Sequence, residues 1–88
     1  LNDDLRRALD VARARLTERE LLAFQARFGP DRCERWDEKL ARDRGGTAKG
    51  WRKASDDAKQ KVRESLAAQG YKFSGAGGLY GIEAKTSA

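Results

Sequence analysis

Residues 17–30 spell out a helix with both ends marked, and that bracket constrains how the rest of the chain can be divided. Thr17-Glu18-Arg19-Glu20 has the form of a capping box. The Thr17 hydroxyl is placed to accept the amide of Glu20, and the Glu20 carboxylate to reach back to the amide of Thr17. Leu16 and Leu21 stand at the two positions of a hydrophobic staple. Gly29 followed by Pro30 closes the segment, since glycine tolerates the terminal backbone and proline cannot continue a helix. The spacing predicts a helix over 18–28 with Leu21, Phe24 and Phe28 facing inward, joined by Leu22 and Gln25.

Flanking segments fall into pieces of similar length. Asn2 can cap a first helix over 3–15. Asp3 and Asp4 suit its positive end, Arg13 and Arg15 its negative end, and Leu5, Leu9, Ala12 and Leu16 form one apolar stripe. Asp31 can cap a third helix over 32–44 that carries Cys33, Trp36, Leu40 and Ala41 on one side and stops at Gly45-Gly46. Thr47 to Ala54 reads as a short helical turn or a loop holding Trp51. Ser55, followed by Asp56 and Asp57, reads as the cap of a fourth helix over 56–69, with Ala58, Val62 and Leu66 inward and Gly70 at its end. Beyond Gly70 the period changes. Tyr71-Lys72-Phe73-Ser74 alternates, Gly75-Ala76-Gly77-Gly78 reads as a turn, and Leu79-Tyr80-Gly81-Ile82-Glu83 returns, which predicts a β-hairpin over 71–83 packed on the helices. The expected class is therefore mainly α with a small C-terminal hairpin, α+β, in a single domain over 1–83. Residues 84–88 read as a flexible tail.

Such a fold has little apolar material to work with. Roughly one residue in six is Leu, Ile, Val or Phe, and 38% are charged, a balance that approaches disorder. Seven aromatic residues, a net charge of only +5 and mutually consistent helix signals favour a folded but marginal domain. A homodimer or another partner would add stability, because a small domain buries a small share of its surface. No stretch approaches the roughly 20 apolar residues of a membrane span, and Leu1-Asn2-Asp3-Asp4 does not read as a secretory leader. Cys33 is the single cysteine, so no internal disulfide forms and a cytoplasmic setting is expected.

Catalytic chemistry has few candidates. The absence of histidine removes the commonest general base and the commonest metal ligand. One cysteine is too few for a structural zinc site, and Cys33 has only arginines and acids near it in sequence, so it reads as a small core residue. Glu34, Asp37 and Glu38 lie within one helical turn, as a hard cation would need. Arg35, Lys39 and Arg42 interleave with them at salt-bridge spacing, which favours a self-paired surface. Gly45-Gly46-Thr47-Ala48-Lys49-Gly50 has the wrong order for a phosphate loop, and Gly75-Ala76-Gly77-Gly78 the wrong context for a dinucleotide turn. No cofactor and no metal are expected, and the chain is expected to be a binding module, not an enzyme.

Charge points to a partner. Residues 1–44 hold 11 basic against 10 acidic side chains, and residues 45–88 hold 8 against 4. Between Lys39 and Lys53 there are six cations and one acid, Asp43, so an anionic partner would be drawn there. From Thr47 onward, a helical turn, a Ser55-capped helix ending at Gly70, Tyr71-Lys72-Phe73 and Leu79-Tyr80-Gly81-Ile82 resemble the C-terminal half of a winged helix-turn-helix domain. The apolar phase of Ala58, Val62 and Leu66 and the acids Asp56 and Asp57 depart from that pattern. The resemblance implies DNA binding. Lys59, Arg63 and possible companion Lys61 would project from a recognition helix, with Arg52, Lys53 and Lys72 on phosphates. Trp51 would either stack on a base or pin the loop from within.

The sites expected to bind nucleic acid or another partner are thus Arg42, Arg44, Lys49, Trp51, Arg52, Lys53, Lys59, Arg63 and Lys72. The leading expectation is a small basic nucleic-acid-binding protein, most naturally a DNA-binding regulator or mobile-element protein. The alternatives are a module or inhibitor docking on an acidic, nucleic-acid-like groove of another protein, and a self-associating helical scaffold.

Overall fold

A computed structural model describes residues 3–29, 33–73 and 82–84. Four helices follow in order: α1 (Asp3–Arg13), α2 (Glu18–Phe28), α3 (Trp36–Arg44) and α4 (Ala48–Ala68). Two three-residue strands complete the fold, β1 (Tyr71–Phe73) and β2 (Ile82–Ala84). The molecule is elongated, 46 × 22 × 19 Å, and every other helix packs on α4.

The fold class expected from the sequence is corrected. The chain is a mainly α-helical bundle of four helices, not an α+β domain with a winged-helix half. The decisive finding is that α4 is a single helix of 21 residues running through the segment expected to hold a loop and a new start at Ser55. Thr47 caps it instead, its hydroxyl accepting the Gly50 amide at 3.0 Å. Ser55 lies in the interior of the helix, fully buried, and its hydroxyl donates back to the Arg52 carbonyl at 2.7 Å. Serine is favoured at caps, but inside a helix its hydroxyl can satisfy itself by this back-bond, so Ser55-Asp56-Asp57 mimics a helix start. The separate recognition helix starting at Ser55, on which the winged-helix likeness rested, is therefore absent. The β structure reduces to β1 laid against α4, with β2 antiparallel beside it over three residues (Tyr71↔Ala84, Lys72↔Glu83, Phe73↔Ile82). The turn expected at Gly75-Ala76-Gly77-Gly78 and the strand start at Leu79-Tyr80-Gly81 lie outside the described residues, as do the caps assigned to Asn2 and Asp31 and the tail from residue 85.

Other expectations shift by small physical causes. The capping box of α2 is present in both directions: Glu20 Oε1 accepts from the Thr17 amide at 2.9 Å, and Thr17 Oγ1 accepts from the Glu20 amide at 3.2 Å. The buried face of α2 is Glu20, Ala23, Phe24 and Phe28, with Leu21 and Leu22 half-buried and Gln25 exposed. α3 starts at Trp36, not 32, and no side chain caps it. Cys33 precedes the helix and is exposed, so it is not a core residue.

Two apolar clusters share α4. The larger joins Leu5, Leu9 and Ala12 of α1, Phe24 and Phe28 of α2, Ala58, Val62 and Leu66 of α4, and Phe73 of β1. Phe24, Phe28 and Phe73 meet pairwise with ring centroids 5.1–6.0 Å apart. Such tilted and edge-on pairs contribute about 0.5–1.5 kcal/mol each beyond their buried area, and they fasten β1 to the helices. The smaller cluster is Ala23, Trp51 and Ala54, with Leu22, Trp36, Leu40 and Ala41 packed partly over it. Ala54, Ser55 and Ala58 keep the α4 surface low where α2 crosses, and Arg27 reaches over that surface to Ser55 (3.0 Å) and Asp56 (2.6 Å).

The crossing is also fixed by charge. Glu20 is buried, and the Oε1 that closes the capping box accepts a hydrogen bond from Lys61 Nζ at 2.7 Å. The Lys61 ammonium, then the Thr17 amide, hold the Glu20 carboxyl below its ordinary value of 4.5, against burial, which pushes it up.

Two measurements test this arrangement. If a helix began after Ser55, Asp56 would occupy its first position, where proline is tolerated. Within the continuous α4, Asp56→Pro should cost about 3 kcal/mol or more. Asp56→Ala, which removes only the exposed pair with Arg27, should cost under about 1 kcal/mol. Urea denaturation of the two variants checks the difference, and equal midpoints would contradict a single helix. For Glu20, a folded-state pKa below the unfolded one means the carboxylate's stabilisation is complete above about pH 4.5 and fades as pH falls through the lowered value. Glu20→Gln should therefore unfold more easily than the parent at pH 7, and the gap should narrow on acidification below about pH 4.5.

Candidate polyanion interface

The α3–α4 junction gathers most of the cations that the sequence singles out. Arg42 and Arg44 lie in the last turn of α3. Gly45 and Gly46 then adopt φ of 89° and 85°, the left-handed region where a side chain is strained, and the chain reverses into α4. The first turn of α4 contains no acid. It opens instead with Lys49, followed by Arg52 and Lys53. Cations at this end oppose the helix dipole. An anion laid across the junction would offset both the dipole and their mutual repulsion.

Trp51 holds the junction in shape. It is 3% exposed, and its indole Nε1 donates to the Gly45 carbonyl at 2.8 Å. Of the two roles open to it, this geometry selects the pin within the core, and the face needed for stacking on a base is not free. The Arg19 guanidinium of α2 covers the ring at 4.1 Å from the centroid. A Cβ on Gly50 would come within 3.1 Å of that guanidinium, so glycine leaves room for it in the first turn of α4. Arg19 is thereby brought beside Gly46 and Gly50 as an additional cation of the site. Nothing in the sequence marks it, because Arg19 sits inside the α2 capping box and its neighbour across the fold is 32 positions away.

The carboxylates nearby are already engaged. Asp37, its side chain 13% exposed, turns inward to accept from Arg52 Nη1 at 3.2 Å and from the Glu38 amide at 2.9 Å. Asp43 lies 3.7 Å from Arg42, both well exposed, a pair worth little in water. Arg52 keeps 58% of its side chain exposed. Arg44, Lys49 and Lys53 are exposed and make no ion pair among the described residues. Glu38 faces Arg35 instead, at 3.9 Å. Among the described residues no group of three or more acids, cysteines or histidines is arranged to hold a metal ion.

Lys59, Arg63 and Lys72 form a separate group. Arg63 lies about 21 Å along the helix axis from Lys49 at roughly 1.5 Å per residue. Its Nε donates to the Phe73 carbonyl at 3.4 Å, Lys59 is half-buried, and Lys72 is exposed on β1. Asp56 and Asp57 separate this group from the junction. The nine residues expected to share one surface therefore divide: Arg42, Arg44, Lys49, Arg52 and Lys53 around the buried Trp51, and Lys59, Arg63 and Lys72 beyond the acids.

No family model, no curated protein and no solved structure matches the chain. Among the described residues no helix is long and apolar enough to cross a membrane.

Iodide quenching separates the two tryptophans. With Trp36→Phe, the remaining emission from Trp51 should be blue-shifted and scarcely quenched. With Trp51→Phe, the half-buried Trp36 should be quenched several-fold more strongly. An accessible Trp51 would return it to the set of binding residues.

Proposed function

We propose that this chain is a non-catalytic module that holds a nucleic acid by its sugar-phosphate backbone at the α3–α4 junction. The observation that carries this reading is that Arg42 and Arg44 at the end of α3, Lys49, Arg52 and Lys53 at the start of α4, and Arg19 over Trp51 border one junction, with Asp37 turned inward. Phosphate contacts from such side chains supply affinity without reading bases. The preference for DNA over RNA rested on a recognition helix and a wing, and it goes with them. Backbone contacts alone serve either polymer. A cytoplasmic location fits this role and the single cysteine.

Binding to a mixed-sequence duplex DNA and to a single-stranded RNA, each at two salt concentrations, tests the proposal. Affinity should fall steeply with salt, by about 0.9 of a log unit per log unit of salt for each duplex phosphate neutralised and about 0.7 for single strands. Arg44→Gln, Lys49→Gln and Lys53→Gln together should lower that slope by about 2–3 while leaving the thermal midpoint nearly unchanged, since none of the three is ion-paired. Arg52 is left in place because its removal strands Asp37. Absence of binding to both polymers at low salt would overturn the proposal in favour of an acidic protein surface as partner. An unchanged slope in the triple variant would move the site elsewhere.

A further inference from the structure

The cations bordering the α3–α4 junction differ in how firmly they are held and in whether they are already engaged. Arg42 and Arg52 are paired, to Asp43 at 3.7 Å and to Asp37 at 3.2 Å. Arg44, Lys49 and Lys53 are exposed, and no hydrogen bond or ion pair among the described residues holds their charged ends. Arg19 is both held and unengaged. Its guanidinium lies 4.1 Å from the centroid of the buried Trp51 ring, yet its N–H groups meet no acceptor among the described residues. The acids flanking it in sequence do not neutralise it. Glu20 turns inward onto Lys61, and Glu18 forms no ion pair among the described residues. Arg19 is also exposed, so a rigid fork of donors is open to a ligand arriving from solvent.

The seat for this guanidinium is made by the backbone. A Cβ on Gly50 would stand 3.1 Å from Arg19 Nη2 and 3.2 Å from Thr47 Oγ1. Gly50 lies in the first turn of α4 and has no positive φ, so its conformation does not call for glycine, and alanine would favour the helix more. The space that glycine leaves lies against Arg19. A planar guanidinium matches phosphate oxygens in pairs, and a side chain already ordered loses less freedom on binding than a free-swinging lysine.

We propose that Arg19 is the anchoring phosphate contact of the junction, with Trp51 and Gly50 as positioning residues that hold its guanidinium ready. This rests on the nucleic-acid reading above and names the group that grips the phosphate.

Binding of full-chain variants to the duplex DNA and the single-stranded RNA, with thermal midpoints measured in parallel, gives the test. Arg19→Gln should weaken binding about tenfold, the size of one lost charge-assisted contact. That loss should be several-fold greater than for Arg44→Gln, which removes the same charge from an unheld side chain. Arg19→Lys and Gly50→Ala both keep the net charge, and each should still weaken binding several-fold. The Gly50→Ala midpoint should not fall, because alanine favours the helix and the far end of Arg19 can swing aside. Arg19→Gln binding no more weakly than Arg44→Gln would overturn the anchoring contact. Arg19→Lys and Gly50→Ala binding as tightly as the parent would overturn the positioning. Lower midpoints with unchanged affinity would make Arg19 a structural prop, which overturns the proposal while leaving the nucleic-acid reading in place. A parent chain that binds neither polymer at low salt would overturn that reading, and the anchoring role with it.

Discussion

Everything in this molecule leans on α4, and α4 stays whole because Trp51 is buried beneath the turn that precedes it. The indole ties the Gly45 carbonyl to the helix, Arg19 closes over the ring, and the smaller cluster forms around it. With the first turns of α4 anchored, the helix continues past Ser55 and offers one uninterrupted surface. α1 and β1 pack toward its C-terminal half, α3 toward its N-terminal half, and α2 across the middle on Ala54 and Ala58. Small residues at that crossing matter in a chain with so few large apolar ones, because they let the backbones approach and let Phe24 and Phe28 reach both α4 and Phe73.

The electrostatics follow from the same packing. Burial leaves little room for an unpaired carboxylate, and the two buried acids among the described residues each receive a cation from α4: Glu20 from Lys61 and Asp37 from Arg52. Glu20 serves two purposes with one oxygen, closing the α2 cap and docking α2 on α4. Meanwhile the exposed cations of the α3–α4 junction keep few partners. A net charge of +5 is modest for the whole chain, but the inward use of acids concentrates its effect on one corner.

Much of the helical plan was legible in the sequence, because capping and apolar spacing are local. The Thr17–Glu20 box, the end of α2 at Gly29 and the inward stripe of α1 involve residues within about a turn of one another. The misreadings share a cause as well. Ser55-Asp56-Asp57 has the local chemistry of a helix start, and only the burial of Trp51 and the contact with Arg27 show that the helix is already under way. The winged-helix likeness depended on that start and falls with it. The site was legible as a basic window but not as a surface. Sequence order joined Lys59, Arg63 and Lys72 to it, placed Trp51 on it and omitted Arg19.

The sequence by itself determined that this chain would be helical, basic around residues 39–53 and poor in catalytic groups, since those properties belong to residue types and short spacings. Only the tertiary structure decided that α4 is one helix, that Trp51 is a pin under the loop, and which cations remain free to meet a partner. The reason is physical. Whether a serine caps a helix or lies within one, and whether an arginine is neutralised or exposed, depends on neighbours that are distant in the chain and become neighbours only when α2, α3 and α4 close on one another.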